Sequence, residues 1–208
     1  NWLSFLDRTG LRELISEILK EGLRRGTLLP GRKVLGKSMV RGIEMYGPDF
    51  FFIPNREWEL VRELEEGVEI RRRGELILIP REFLLRALRK PSLYSSRVDV
   101  EPRNYMISVP PVRLDDLPRD LRWYIEWGAR SGVASPAIRA FGEKWYSHVH
   151  RQLMSKRPLG RVFIPDKVDL TFKRRGVFAN YSREEVAASK NFYIVKRVYV
   201  ISLKSAMY

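Results

Sequence analysis

Residues 139–175 read RAFGEKWYSHVHRQLMSKRPLGRVFIPDKVDLTFKRR and hold ten Lys/Arg against three Asp/Glu. That local +7 is half of the chain's formal +14. Phe141, Trp145, Tyr146, Phe163 and Phe172 are interleaved with the cations. A surface of this kind attracts a polyanion and offers flat faces on which bases can stack. A basic tail would lack the aromatics and the apolar residues that bury them, so the window predicts part of a folded nucleic-acid-binding surface.

Other chemistries in the same stretch are poorly served. His148 and His150 are the only histidines. An H-x-H pair can ligate a metal, but no carboxylate stands close by to complete a site. Two residues apart on a helix, they would also face different ways. Solvated or phosphate-contacting histidines are expected, and no metal. Pro165-Asp166 with Asp169–Lys173 resembles the acids and lysine of a metal-dependent nuclease. That pattern places the lysine two residues after the second acid, where Thr171 stands, and needs a longer gap between the acids. The run Glu63, Glu65, Glu66 reads as a solvated face. There is no GxxxxGK[ST] loop and no GxGxxG after a strand. The glycines between positions 31 and 47 fit a flexible connection. No catalytic constellation emerges.

The whole chain narrows the classes further. It has 208 residues, 44% of them hydrophobic and 12% aromatic, enough to build a core. Its pI of about 10.2 points to nucleic acid or an anionic membrane surface. No apolar run approaches the roughly 20 residues that span a bilayer, so membrane is not expected. The absence of cysteine removes disulfides, thiolate metal sites and Cys nucleophiles, and with no visible signal peptide the expected compartment is the cytoplasm. Charged residues make up 31% and glutamine occurs once, a pattern that fits a thermophile. The chain does not start with Met and ends in ISLKSAMY just after a strand-like run, which suggests a fragment of a larger protein.

The elements that must position the basic window are legible in part. Leu11, Leu14, Ile15, Ile18, Leu19 and Leu23 repeat at helical spacing, which predicts an amphipathic helix over 9–25, stopped at Gly26. A Gly-rich basic connection with Lys33, Lys37 and Arg41 follows. FFFI at 50–53 reads as a buried strand. Asn55 can cap a helix over 56–66 with Trp58, Val61 and Leu64 inward, ended by Gly67. VEIRRRGELILI (68–79) alternates and turns at Gly74, a hairpin. Arg71, Arg72 and Arg73 before that turn are either solvated or a phosphate clamp.

Pro80 opens an expected helix over 81–90, with Phe83, Leu84, Ala87 and Leu88 on one side. A strand is expected at 105–109 and a helix at 118–131 with Leu121, Tyr124, Ile125 and Gly128 on one side. Strands follow near 161–164, 168–173, 176–180 and 192–202. Ser182 to Glu185 forms an S-x-x-E capping box for a short helix. The expected class is α+β: mixed, mainly antiparallel sheets with an N-terminal amphipathic helix and short packing helices. The expected division is 1–110 and 111–208, with any seam in the Pro-rich stretch 110–118, unless the two parts form one continuous domain.

Four segments, in this order, resemble one family. They are RGIEMYGPDFFFIP (41–54), ELILIPREFLLRALRKPSLY (75–94), GEKWYSHVHRQ (142–152) and RRGVFANYSREEVAASKNFYIV (174–195). Together they are similar to the target-recognition region of N6-adenine DNA methyltransferases of the TaqI-like gamma class, found in restriction–modification systems. The resemblance spans about residues 41–200. Two departures stand out. The family's F-x-G-x-G loop and N-P-P-Y motif, which belong to its Rossmann-like domain, do not occur here, and Pro110-Pro111 in SVPPV lacks the Asn before and the aromatic after. Lys144 also precedes Trp145 where the family often has Pro.

The resemblance implies a non-catalytic fragment that grips duplex DNA and helps present an adenine to a catalytic domain on the same or a partner chain. S-adenosylmethionine would serve that domain, and these residues would hold no cofactor. The phosphate contacts would come from Lys144, Arg151, Lys156, Arg157, Arg174 and Arg175, extended by Lys37 and Arg41, with arginine favoured for its two-pronged donor geometry. Trp145 and Tyr146 are either base-facing or core aromatics, and Asn180 is either a turn former or a polar base contact. Two readings from other classes remain. One is an RNA- or single-strand-binding accessory module that stacks bases on the same aromatics, without enzymatic role. The other is a basic face that docks an acidic protein.

Overall fold

The computed structural model describes residues 11–25, 39–167 and 179–195. The chain divides into two units, 1–38 and 39–208. The first contains α1, Leu11–Arg24. Glu21 on α1 accepts from the Nε atoms of Arg24 at 2.7 Å and Arg25 at 2.5 Å, which places cations at the negative end of the helix dipole. Leu14, Ile18, Leu19 and Leu23 of α1 are exposed.

The second unit is mixed α and β, with mostly antiparallel sheets. Its strands are β1 (Met39–Arg41), β2 (Phe52–Ile53), β3 (Glu59–Glu63), β4 (Gly67–Arg72), β5 (Glu75–Pro80), β6 (Leu84–Leu88), β7 (Asn104–Ile107), β8 (Leu159–Pro165), β9 (Asn180–Ala188) and β10 (Phe192–Val195). Seven form one sheet in the order β1-β10-β8-β9-β6-β7-β2, and β3-β4-β5 form a second. Among the described strands, β6 and β9 are the one parallel pair. The helices are α2 (Pro48–Phe51), α3 (Arg119–Arg130), α4 (Ser135–Phe141) and α5 (His148–Lys156).

Two expectations for regular structure hold closely. The 67–80 hairpin turns through Arg73 (φ 46°) and Gly74 (φ 87°), a left-handed pair that suits a tight two-residue turn. Helix α3 buries Leu121, Tyr124, Ile125 and Gly128 as expected, and Trp127 with them. A Cβ at Gly128 would stand 2.4 Å from Phe50 Cδ2, so the missing side chain is what lets α3 approach the aromatic core.

Three expected helices are strands. Residues 59–63 form β3, an edge strand of charged residues whose Glu59 and Arg62 pair with Arg71 and Glu69 of β4. Asn55 still accepts from the amides of Glu57 and Trp58, but it closes a turn instead of starting a helix. Residues 84–88 form β6, the fifth strand of the sheet, between β9 and β7. LLRAL is a short, mostly apolar run, which periodicity cannot distinguish from a short buried helix. The S-x-x-E tetrad lies in β9, with Ser182 inward and Glu184 and Glu185 outward beside a register shift opposite β8. FFFI is split, with Phe50 and Phe51 ending α2 and Phe52 and Ile53 forming β2, all four fully buried. The expected strand at 168–173 and most of that at 176–180 lie outside the described residues.

One apolar cluster joins Phe50, Trp58, Ile79 and Tyr105 to Tyr124, Trp145, Val149 and Ala187. The 110–118 stretch therefore runs over a core shared by the residues before and after it, and is not a seam within this unit. Asp120 on α3 accepts from the free amide of Leu78 at 2.9 Å, which ties α3 to the edge strand β5. A second cluster, with Phe163, Phe192 and Ile194, lies under β8 and β10.

Candidate nucleic-acid interface

The basic window begins on α4 and runs through α5 into β8. The segment KWYS (144–147) is tied down at every residue. Lys144 Nζ donates to Pro111 O at 3.1 Å, Tyr146 Oη to Val112 O at 2.7 Å, and Ser147 Oγ to Pro110 O at 3.1 Å. Trp145 sits edge-on to Phe50 with ring centroids 4.6 Å apart. Prolines at 110 and 111 have no amide to offer a sheet, and Pro110 O also accepts from Val112 N at 2.8 Å.

Trp145 and Tyr146 are 5% and 3% exposed, so neither presents a face to a base. They are core aromatics that anchor the start of α5. Phe163 is fully buried, Phe141 is stacked on His148 at 3.6 Å, and Phe172 lies outside the described residues. Asn180 is not a base contact either. Its Nδ2 donates to Tyr94 O at 2.9 Å and Arg97 O at 2.7 Å, and the residue is 1% exposed. It clamps the 94–97 turn to the start of β9.

The histidines are partly enclosed. His148 Nε2 lies 3.1 Å from Glu44 O and 2.7 Å from Gln152 Nε2. Gln152, the single glutamine of the chain, clasps the Glu44 backbone. Its Nε2 donates to Glu44 O at 2.7 Å, and its Oε1 accepts from Glu44 N at 3.2 Å. Burial pushes the His148 imidazole below its ordinary value. The Glu44 carboxyl is held low by the Lys190 ammonium 2.7 Å away, with Arg41 and Lys156 adding to the field. His150 Nδ1 lies 3.3 Å from Ser108 Oγ. Among the described residues no group of three or more His, Asp or Glu is placed to hold a metal.

The cations differ from one another in their partners. Many arginines elsewhere are matched to carboxylates: Arg62 to Glu69, Arg71 to Glu59, Arg72 to Glu57 and Glu75, Arg86 to Glu63, Arg113 to Asp116, and Arg183 to Asp99. Arg72 also lies over the Trp127 ring, so Arg71 and Arg72 are engaged within the protein. Arg41 pairs with Asp166 at 2.7 Å and donates to Lys190 O.

From Arg139 to Arg161 the balance changes. Six cations (Arg139, Lys144, Arg151, Lys156, Arg157, Arg161) stand against Glu143, and all seven are exposed. Arg139, Lys144, Arg151, Arg157 and Arg161 form no ion pair with any described residue. Arg151 donates to Lys144 O at 3.1 Å, which holds those two cations side by side. Lys37, Arg174 and Arg175 lie outside the described residues. Arg139 and Arg161 were not singled out by the resemblance, although the charge count of the window contains both.

Among the described residues no helix is long and apolar enough to cross a membrane. Compared with known proteins, the chain matches no family model, no curated protein and no solved structure.

Proposed function

We propose that this chain is a DNA target-recognition domain of an N6-adenine methyltransferase, gripping duplex DNA through the surface that carries Lys144, Arg151, Lys156 and Arg157. The observation that carries the reading is the run of exposed cations between Arg139 and Arg161, most of them without an internal carboxylate, on a segment rigidly anchored to the core. Cations already matched to carboxylates gain little from a phosphate, whereas unmatched ones release counterions when they meet one. The burial of Trp145, Tyr146 and Phe163 takes those three rings away from base stacking, the contact that a single-strand binder uses, and so favours the duplex. The assignment to adenine methylation rests on the resemblance of the four ordered segments. Methyl transfer from S-adenosylmethionine would belong to a catalytic domain outside these 208 residues.

The test is fluorescence anisotropy of the chain with labelled duplex DNA, single-stranded DNA and RNA over a salt series. With about six phosphates contacted, log K should fall against log salt with a slope of roughly −5 on duplex. Arg174→Ala with Arg175→Ala should flatten it. Preference for single strands would move the function to an RNA-type module. Absence of binding at low salt would leave an acidic protein as the partner.

A further inference from the structure

A face of α5 distinct from the one at Glu44 borders an open cleft of about 610 Å³, within the size range of ordinary small-molecule sites. Leu85 of β6, Leu153 and Met154 of α5 and Leu159 of β8 supply apolar surface, and Met154 is 64% exposed. The polar groups are Glu82, Glu185, Arg157 and the Ser108–His150 pair. Glu82, Glu185 and Arg157 form no ion pair with any described residue, although both signs line the same cleft. Arg157 also holds a left-handed backbone (φ 44°), with its amide on Leu153 O, at the helix end where glycine is the usual residue. A non-glycine residue in that conformation is a cost that the fold retains, and it fixes where the guanidinium leaves α5.

We propose that this cleft holds a single unstacked nucleobase bearing an exocyclic amine, with the adjoining phosphate at Arg157. The proposal rests on the nucleic-acid reading above and adds a base-binding site to it. Carboxylates are acceptors only, so they repay an amine donor and repel a second acceptor. Adenine, cytosine and guanine carry such a donor, whereas thymine and uracil present one ring N–H flanked by two carbonyls. The leucines and the polarisable Met154 sulfur can lie against the base faces without aromatic stacking. Arg157 offsets the repulsion that two carboxylates would exert on the nucleotide's phosphate. A donor-rich base is therefore selected at its edge and an anion is tolerated at one end only. An apolar slot without Glu82 and Glu185 would not make that distinction.

The experiment titrates the whole chain with AMP, CMP and UMP, following the His150 imidazole resonance by NMR, and in parallel with duplex DNA by anisotropy. His150 is assigned by comparison with His148→Gln. Millimolar binding of AMP and CMP is expected, tighter than UMP by about five- to a hundredfold, the discrimination of one good polar pair to a base edge. Glu82→Gln with Glu185→Gln should collapse the AMP-to-UMP ratio towards one while the thermal midpoint stays within a few degrees. Met154→Trp should block all three nucleotides. Equal affinity for UMP and AMP, or no His150 shift with AMP or CMP, overturns the proposal. If duplex binds normally while nucleotides do not, the cleft proposal falls and the recognition reading stands. If nucleotides bind with the expected preference and duplex does not, the base site stands and the recognition reading falls.

Discussion

The Tyr146 hydroxyl donates to the Val112 carbonyl over 2.7 Å, and this bond joins the Trp-Tyr pair at the head of α5 to the Pro-Pro-Val stretch of a distant part of the chain. The two residues at the centre of the sequence resemblance are thereby structural. They hold the cationic segment in place from below, with both side chains buried.

Tyr146→Phe should lower stability by about 1 kcal/mol, the usual loss for one hydrogen bond, and leave nucleic-acid affinity unchanged. Trp145→Ala removes a core aromatic packed on Phe50 and should cost about 3–5 kcal/mol. Thermal melts and anisotropy on the same samples check both. A fall in affinity with an unchanged melt for Tyr146→Phe would contradict its structural role.

Asn180 donates to two backbone carbonyls from a fully enclosed position. Asn180→Asp keeps the shape but faces acceptors with acceptors, so it should destabilise by at least about 2 kcal/mol at neutral pH. Its melt should partly recover at acid pH, where a protonated carboxyl can donate once. Asn180→Ala should lie between wild type and Asp.

Lys144→Ala with Arg151→Ala removes two neighbouring exposed cations and no ion pair with a described residue. The salt slope of duplex binding should fall in magnitude by about 1.8, at roughly 0.9 per phosphate contact. Arg71→Ala with Arg113→Ala, which removes cations already matched to Glu59 and Asp116, should leave the slope unchanged. Equal effects from the two pairs would show that the cationic segment is not the contact surface.

His148 gives the protein an acid-side weakness. Burial lowers its pKa in the folded state below the ordinary 6.5, so the unfolded chain binds the proton more readily. The stability it contributes is complete above about pH 6.5 and is lost as the pH falls through the lower folded value. The thermal midpoint should drop between pH 7.5 and pH 5.5, and His148→Gln should drop less over the same interval.

How much of this was legible in the sequence can be judged from particular residues. The hairpin at Gly74 and the helix at 119–130 were, because a turn glycine between alternating residues and a 3.6-residue apolar repeat are local facts. The strands at 84–88 and 180–188 were not. Leu84–Leu88 is too short and too apolar, apart from Arg86, for its period to tell a strand from a buried helix, and SREE carries a helix-start pattern that the pairing of the flanking Tyr181 and Val186 with β8 overrides.

The sequence by itself determined that an unusual share of the positive charge is concentrated between positions 139 and 175, since composition and spacing are fixed before folding. Only the tertiary structure decided which of those residues remain available. Burial depends on what packs against a side chain, and a charge is neutralised only by a partner brought from elsewhere in the chain. Asp166 reaches Arg41 across 125 positions and Val112 reaches Tyr146 across 34. Glu82, Ser108, Arg157 and Glu185 meet around one cleft in the same way, and no local pattern announces a site assembled from four separate segments.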